Sequence, residues 1–224
     1  MVGVPAYFYP WPGGSDWWQL RDLTREAIVI INPASGPGAA VDHNYEAALA
    51  DLRRPPVRVL GYVDDAYGET QADAIRHQAA VYAARYAVDG IFLDRTRGDA
   101  LAHRRLAPLC ADLHQAGLRV ALNPGQPEVD PRHLAIADHV VLFEGDLPTY
   151  RATRFPGWIH LHDRTTVWHL VHDVPQAALL EVAHLAGERH VGVLLATDRG
   201  MPQPWAALPG YWPEQPELGT PPVE

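Results

Sequence analysis

Two acidic residues close apolar runs in the middle of the chain: Asp94 follows Gly90-Ile91-Phe92-Leu93, and Glu144 follows Val140-Val141-Leu142-Phe143. Two carboxyl groups held near one another can divide acid and base work, because their mutual repulsion splits their pKa values. A separation of about 5–5.5 Å suits retaining cleavage of a glycosidic bond, and a wider gap admits the water of an inverting reaction. Asp94 is therefore a candidate nucleophile or stabiliser, and Glu144 a candidate general acid and base. Other polar residues end apolar runs in the same manner: Tyr9, Asn32, Asp64, Asn123, Asp173 and Asp198. Together with the aromatic residues Tyr62 and Trp212 they are expected to line a ligand site. Asn32 opens the turn Asn32-Pro33-Ala34-Ser35-Gly36-Pro37-Gly38, whose prolines and glycines should hold its amide at the rim.

Other chemistries find less support. All 18 basic residues are arginine, so Schiff-base chemistry and a phosphate-loop lysine are excluded. Ser35 lies in Pro-Ala-Ser-Gly rather than in a nucleophile elbow. The 12 histidines, among them His160, His162, His169 and His172, raise a metal-dependent hydrolase as an alternative. No HExxH or cysteine ligand set accompanies them, and neither a metal site nor a cofactor is expected. The single cysteine, Cys110, shares a helical face with Leu106, Leu109 and Leu113 and reads as a buried hydrophobe.

Eight apolar runs must position these residues: 6–9, 28–32, 57–64, 91–94, 120–123, 140–144, 167–173 and 191–198. Segments of helical spacing separate most of them. Strands alternating with helices imply an α/β fold with a parallel sheet, and eight units close a single compact (β/α)8 barrel. In that fold chemistry collects at the C-terminal strand ends, where the polar residues fall. The seventh strand has two placements, 158–162 or 167–173, and the second is preferred because it is longer and leads directly into a helix. Residues 1–213 are read as the barrel domain, with a non-helical wrap from Met201, and residues 214–224 as a disordered tail.

At 224 residues, with 47% hydrophobic and 20% charged residues, the chain has enough material for one such core. A net charge of −9 disfavours nucleic acid and anionic membranes as partners and leaves neutral or cationic ligands open. No apolar run reaches the roughly 20 residues of a membrane span, and the N-terminus lacks a signal-peptide pattern. A monomer is expected.

The turns and strand ends resemble those of the spherulin-4-like family. The resemblance rests on Val4-Pro5-Ala6-Tyr7-Phe8-Tyr9-Pro10, the Asn32–Gly38 turn, Val59-Leu60-Gly61-Tyr62-Val63, Gly90–Asp94, Phe143-Glu144 and Leu208-Pro209-Gly210-Tyr211-Trp212. It implies a TIM-barrel glycoside hydrolase acting on microbial exopolysaccharide that contains α-1,4-linked N-acetylgalactosamine or galactosamine, with Asp94 and Glu144 as the catalytic carboxylates. It also implies a secreted or cell-surface setting, beside which the missing leader leaves the cytoplasm open. One departure stands out. The family follows its strand-four aspartate with a glutamate, and Arg95 stands here instead. A guanidinium beside Asp94 is expected to lower its pKa, and the substitution also raises a barrel that binds glycan without cutting it as an alternative.

Overall fold

The computed structural model describes residues 1–52 and 57–215. Eight parallel strands close a barrel in chain order: β1 (Val2–Ala6), β2 (Ala27–Ile31), β3 (Val57–Asp64), β4 (Gly90–Asp94), β5 (Arg119–Leu122), β6 (His139–Asp146), β7 (Val167–His172) and β8 (Val193–Ala196). The helices outside them are α1 (Ser15–Arg21), α2 (His43–Leu52), α3 (Ala72–Tyr86), α4 (Ala100–Gln115), α5 (His133–Ile136), α6 (Leu147–Ala152) and α7 (Leu179–Glu188). The strands are almost wholly buried, as expected when side chains face the interior on one side and the helices on the other. The longest helix, α4, is capped by Asp99, whose Oδ1 accepts from Leu101 N and Ala102 N at 2.9 Å. Pro108 sits inside that helix without ending it.

Trp168 of β7 fills the barrel centre, meeting Phe92 of β4 edge-on at 5.6 Å. Gly3 of β1 faces the same indole, and a Cβ there would collide with the ring and with Val193.

The first strand differs from expectation. It spans Val2–Ala6 rather than 6–9, because Val2, Val4 and Ala6 bury on one side while Gly3 and Pro5 make room on the other. The seventh strand takes the preferred placement, and 157–161 forms 3-10 turns. After β8 the chain forms no helix among the described residues, and the tail covers that side instead. The β1–β8 seam is in register only at Val2 and Leu194. Beyond that pair, Ala196 gives its N–H to Gln215 Oε1 (3.1 Å), and its carbonyl accepts from Gln215 Nε2 (2.9 Å). Buried Gln215 thus completes a ladder that the neighbouring strand leaves open. Glu214 and Gln215, expected in the disordered end, have defined partners here, since Glu214 also accepts from Gln176. Residues 216–224 lie outside the described residues.

Candidate active site

Alternation along each strand decides which residues enter the barrel mouth. Phe92 and Trp168 point inward, so Asp94, two residues beyond Phe92, and His172, four beyond Trp168, point the same way. Register carries this around the sheet. Tyr62 pairs with Phe92, and Asp64 with Asp94; Ala121 pairs with Phe92, so Asn123 follows inward. Pro5 pairs with Ile30 and Ile30 with Leu60, which turns Tyr7 inward just past the end of β1.

Glu144 reaches the mouth through an irregularity. Val141 pairs with Trp168, but the next pairs are Phe143–His169 and Glu144–Leu170, so Leu142 is an extra residue in β6. Leu142 and Phe143 both join the outer apolar cluster, Phe143 meeting Tyr150 at 4.8 Å, and the phase shift brings Glu144 inside. Without the bulge Phe143 would occupy that position.

The centre of the mouth is one amide between two acids. Asn123 Nδ2 donates to Asp94 Oδ1 and to Glu144 Oε2, each at 2.7 Å. These two bonds place the carboxylate oxygens within about 5.4 Å of each other, the limit reached if the donor lay in line. Glu144 Oε1 accepts from Trp205 Nε1 at 2.8 Å, reaching it from the C-terminal tail. The Tyr62 hydroxyl and the Arg95 backbone N–H also favour the ionised form of Asp94. Both acids are partly buried.

Desolvation at the mouth raises the pKa of Asp94, opposed by the bonds from Asn123 and Tyr62. Desolvation likewise raises Glu144, opposed by Asn123 and Trp205 and reinforced by the charge of Asp94. The Tyr7 hydroxyl is raised well above its ordinary value, first by burial and then by the charges of Asp94 and Glu144. It meets Tyr62 edge-on at 5.5 Å. Such a cluster suits proton transfer to and from a ligand atom held between the acids.

Arg95 does not act on Asp94 as its sequence position suggests. Its backbone turns at φ 51° and sends the guanidinium to Asp64, with Nε at 2.9 Å from Oδ1 and Nη2 on Oδ2. Asp64 is lowered chiefly by that bond. Asp94 moves upward instead, because its burial outweighs the donors around it.

The remaining candidates scatter. Asn32 is partly buried, and its Oδ1 accepts from Gly36 N (3.1 Å), closing its own turn. Tyr9 lies beyond β1 and gives its hydroxyl to Asp42 (2.8 Å), stacking near Trp11 rather than among the acids. Asp173 stands one residue past inward-facing His172 and accepts from its Nδ1 at 2.7 Å. Asp198 follows inward-phased Thr197 and accepts from Gly210 N at 2.8 Å. Trp212 is buried on the outside of the barrel, on the flank of α1 beside Gln19, Thr24 and Arg25. Among the described residues, no three His, Cys, Asp or Glu side chains are grouped so as to hold a metal ion.

Three residues at the mouth escape a reading by strand ends: Tyr7, His172 and Trp205. The first two could be found by counting alternation inward from the buried aromatic residues. Trp205 is one of the loop aromatic residues that the barrel pattern puts on the active face, but nothing local aims it at Glu144, 61 residues earlier.

The model of spherulation-specific family 4 (Spherulin4) matches residues 1–217. Sph3 of Aspergillus clavatus, solved in complex with GalNAc, has the same fold with a TM-score of 0.79 at 28% identity, over 94% of this chain and 93% of that one. A GH18 chitinase from Pseudoalteromonas aurantia matches in fold alone, with a TM-score of 0.56 at 11% identity over 88% and 93% of the two chains. No curated protein matches the chain.

Proposed function

The chain belongs to spherulation-specific family 4, and from that premise we propose that it hydrolyses glycosidic bonds in an amino-sugar polysaccharide of the N-acetylgalactosamine or galactosamine type. The observation that carries the reading is the Asn123 amide, bonded at 2.7 Å to both Asp94 and Glu144. The likeness to a relative bound to GalNAc supports the sugar class.

The short separation favours a double-displacement route over one that needs a water between the acids. The charge of Asp94 adds to the desolvation that raises Glu144, which suits Glu144 to hold the proton and Asp94 the negative charge. Asp94 attacks the anomeric carbon as Glu144 gives its proton to the departing glycosidic oxygen. Glu144, now ionised, takes a proton from water, whose oxygen attacks the glycosyl ester and releases Asp94. Asn123, Tyr62, Asp64 and Tyr7 line the sugar position in this scheme.

The test is digestion of a galactosaminogalactan-type polymer, with sizing of the products. The unaltered protein should release oligosaccharides, and Asp94→Asn and Glu144→Gln should bind the polymer while cutting it orders of magnitude more slowly. Cleavage by Asp94→Asn at the normal rate would remove Asp94 from the mechanism. A second reading, a barrel that binds glycan without cutting it, is motivated by Arg95 in place of a second acid; polymer binding by the unaltered protein with no products would establish it.

A further inference from the structure

The chain has seven tryptophans, and only Trp11 (67%) and Trp18 (44%) are exposed. Both line one groove, between the loop after β1, helix α1 and helix α2. Exposing two large apolar rings in one depression is costly unless something covers them. The groove holds about 160 Å³, well below the roughly 300–1,000 Å³ of a site for a drug-sized molecule and on the scale of a single ring. Gly13, Gly14, Ala47 and Ala48 keep it open, and Asn44, Asp51 and Arg21 supply polar groups.

Trp11 is held in place before any ligand arrives. Tyr9 packs against it at 4.6 Å, and the Tyr9 hydroxyl is fixed by Asp42 (2.8 Å) and by a bond from Asn44 Nδ2 (3.0 Å). Arg21 lies over one face of Trp18 at 3.7 Å and near Asp22 at 3.6 Å, so its charge is already engaged. That leaves Asp51 as the groove's exposed acid and favours an uncharged or cationic occupant. The groove lies close to the mouth along the chain. Tyr7 faces the acids, and Trp11 follows only four residues later, a span of at most about 14 Å.

We propose that this groove is a second sugar-binding site, taking one neutral or amino-bearing pyranose ring from the same polymer chain that occupies the barrel mouth. The inference rests on the hydrolase reading. Flat indole faces receive the apolar face of the ring, while Asn44 and Asp51 meet its hydroxyl or ammonium groups.

The experiment compares Trp11→Ala/Trp18→Ala with the unaltered sequence, both carrying Asp94→Asn, for binding to a long galactosamine polymer and to a trisaccharide of the same sugars. Two linked contacts bind far more tightly than one, so polymer affinity should fall at least about tenfold and trisaccharide affinity should hold. An unchanged polymer affinity overturns the proposal, as does an equal loss for both ligands. So does a dimer in solution that the double substitution dissociates, which would make the groove a self-contact. Failure of the hydrolase reading looks different: the unaltered protein then releases no products, whether or not it binds the polymer. Unchanged circular dichroism and melting temperature would confirm that the doubly substituted protein is folded.

Discussion

Replacing Asn123 by alanine removes the side chain that, alone among the described residues, bonds both acids at the mouth. Each bond is short and charge-assisted, a class worth about 1.5–3 kcal/mol when nothing replaces it. Water entering the shortened side chain's space would restore part of this, leaving a loss of roughly 1 kcal/mol at each carboxylate. Asn123 lowers both pKa values, so its removal raises both. At about 1.4 kcal/mol per unit, the shift approaches one unit. In the proposed mechanism Asp94 must be ionised and Glu144 protonated, so these groups set the acid and alkaline limbs of a bell-shaped rate profile. Both limbs should move to higher pH by roughly one unit in kcat/KM, with a lower maximum because the acids lose their common anchor. The assay is reducing-sugar release from a soluble oligosaccharide between pH 3 and 9. Limbs that stay in place, or move to lower pH, would refute the argument that Asn123 holds the charge on this pair.

Trp205→Phe keeps the ring and deletes the donor to Glu144 Oε1, so the alkaline limb alone should rise while the acid limb holds; a shift of both would point to a general rearrangement. Asp94→Asn should stabilise the fold at pH 7. Burial raises the Asp94 pKa above its unfolded value, so its contribution to stability is complete below the ordinary value of about 3.9 and is lost as pH climbs through the raised one. The melting-temperature gain should therefore vanish near pH 3.5, and a variant less stable than the parent at pH 7 would contradict it. Gln215→Ala strands the N–H and carbonyl of Ala196 at the β1–β8 seam and should cost about 1–3 kcal/mol in urea unfolding; an unchanged midpoint would show the tail is not needed to close the barrel.

The barrel was legible because its strands are buried on both faces and so appear as continuous apolar runs. The central acids were legible for the same reason, since a charged residue ending such a run must stand at a rim. Which neighbour faces inward was harder to read. Side chains alternate with period two, so an error of one residue selects the wrong face. The runs ending at Asp173 and Asp198 conceal His172 and Thr197 as the inward-phased positions, and the polar residue that breaks the run is not the one aimed at the mouth. Starting the first strand at Ala6 instead of Val2 led to Tyr9 in place of Tyr7. Glu144 stands inside only because Leu142 bulges, which its apolar run does not reveal. The position of Trp212 was not legible for another reason: a proline-rich tail carries no period from which its path along the outside of the barrel could be traced.

Arg95 extends the same argument from geometry to charge. Adjacent in sequence to Asp94, it was expected to stabilise that carboxylate directly, yet it binds the acid one strand away. Asp64 and Asp94 are register partners on neighbouring strands, and the Asp64 charge itself raises Asp94. With Glu144 on the far side of Asn123, the mouth gathers three carboxylates. Ionising all of them together would oppose the charge that the proposed nucleophile must carry. In the proposed mechanism Arg95, by pairing with Asp64, offsets the acid that takes no part in bond cleavage and leaves Asp94 and Glu144 to share one proton. An arginine in this position is therefore compatible with a working pair, because it acts on Asp94 through Asp64 and leaves the Asp94 side chain to Asn123 and Tyr62.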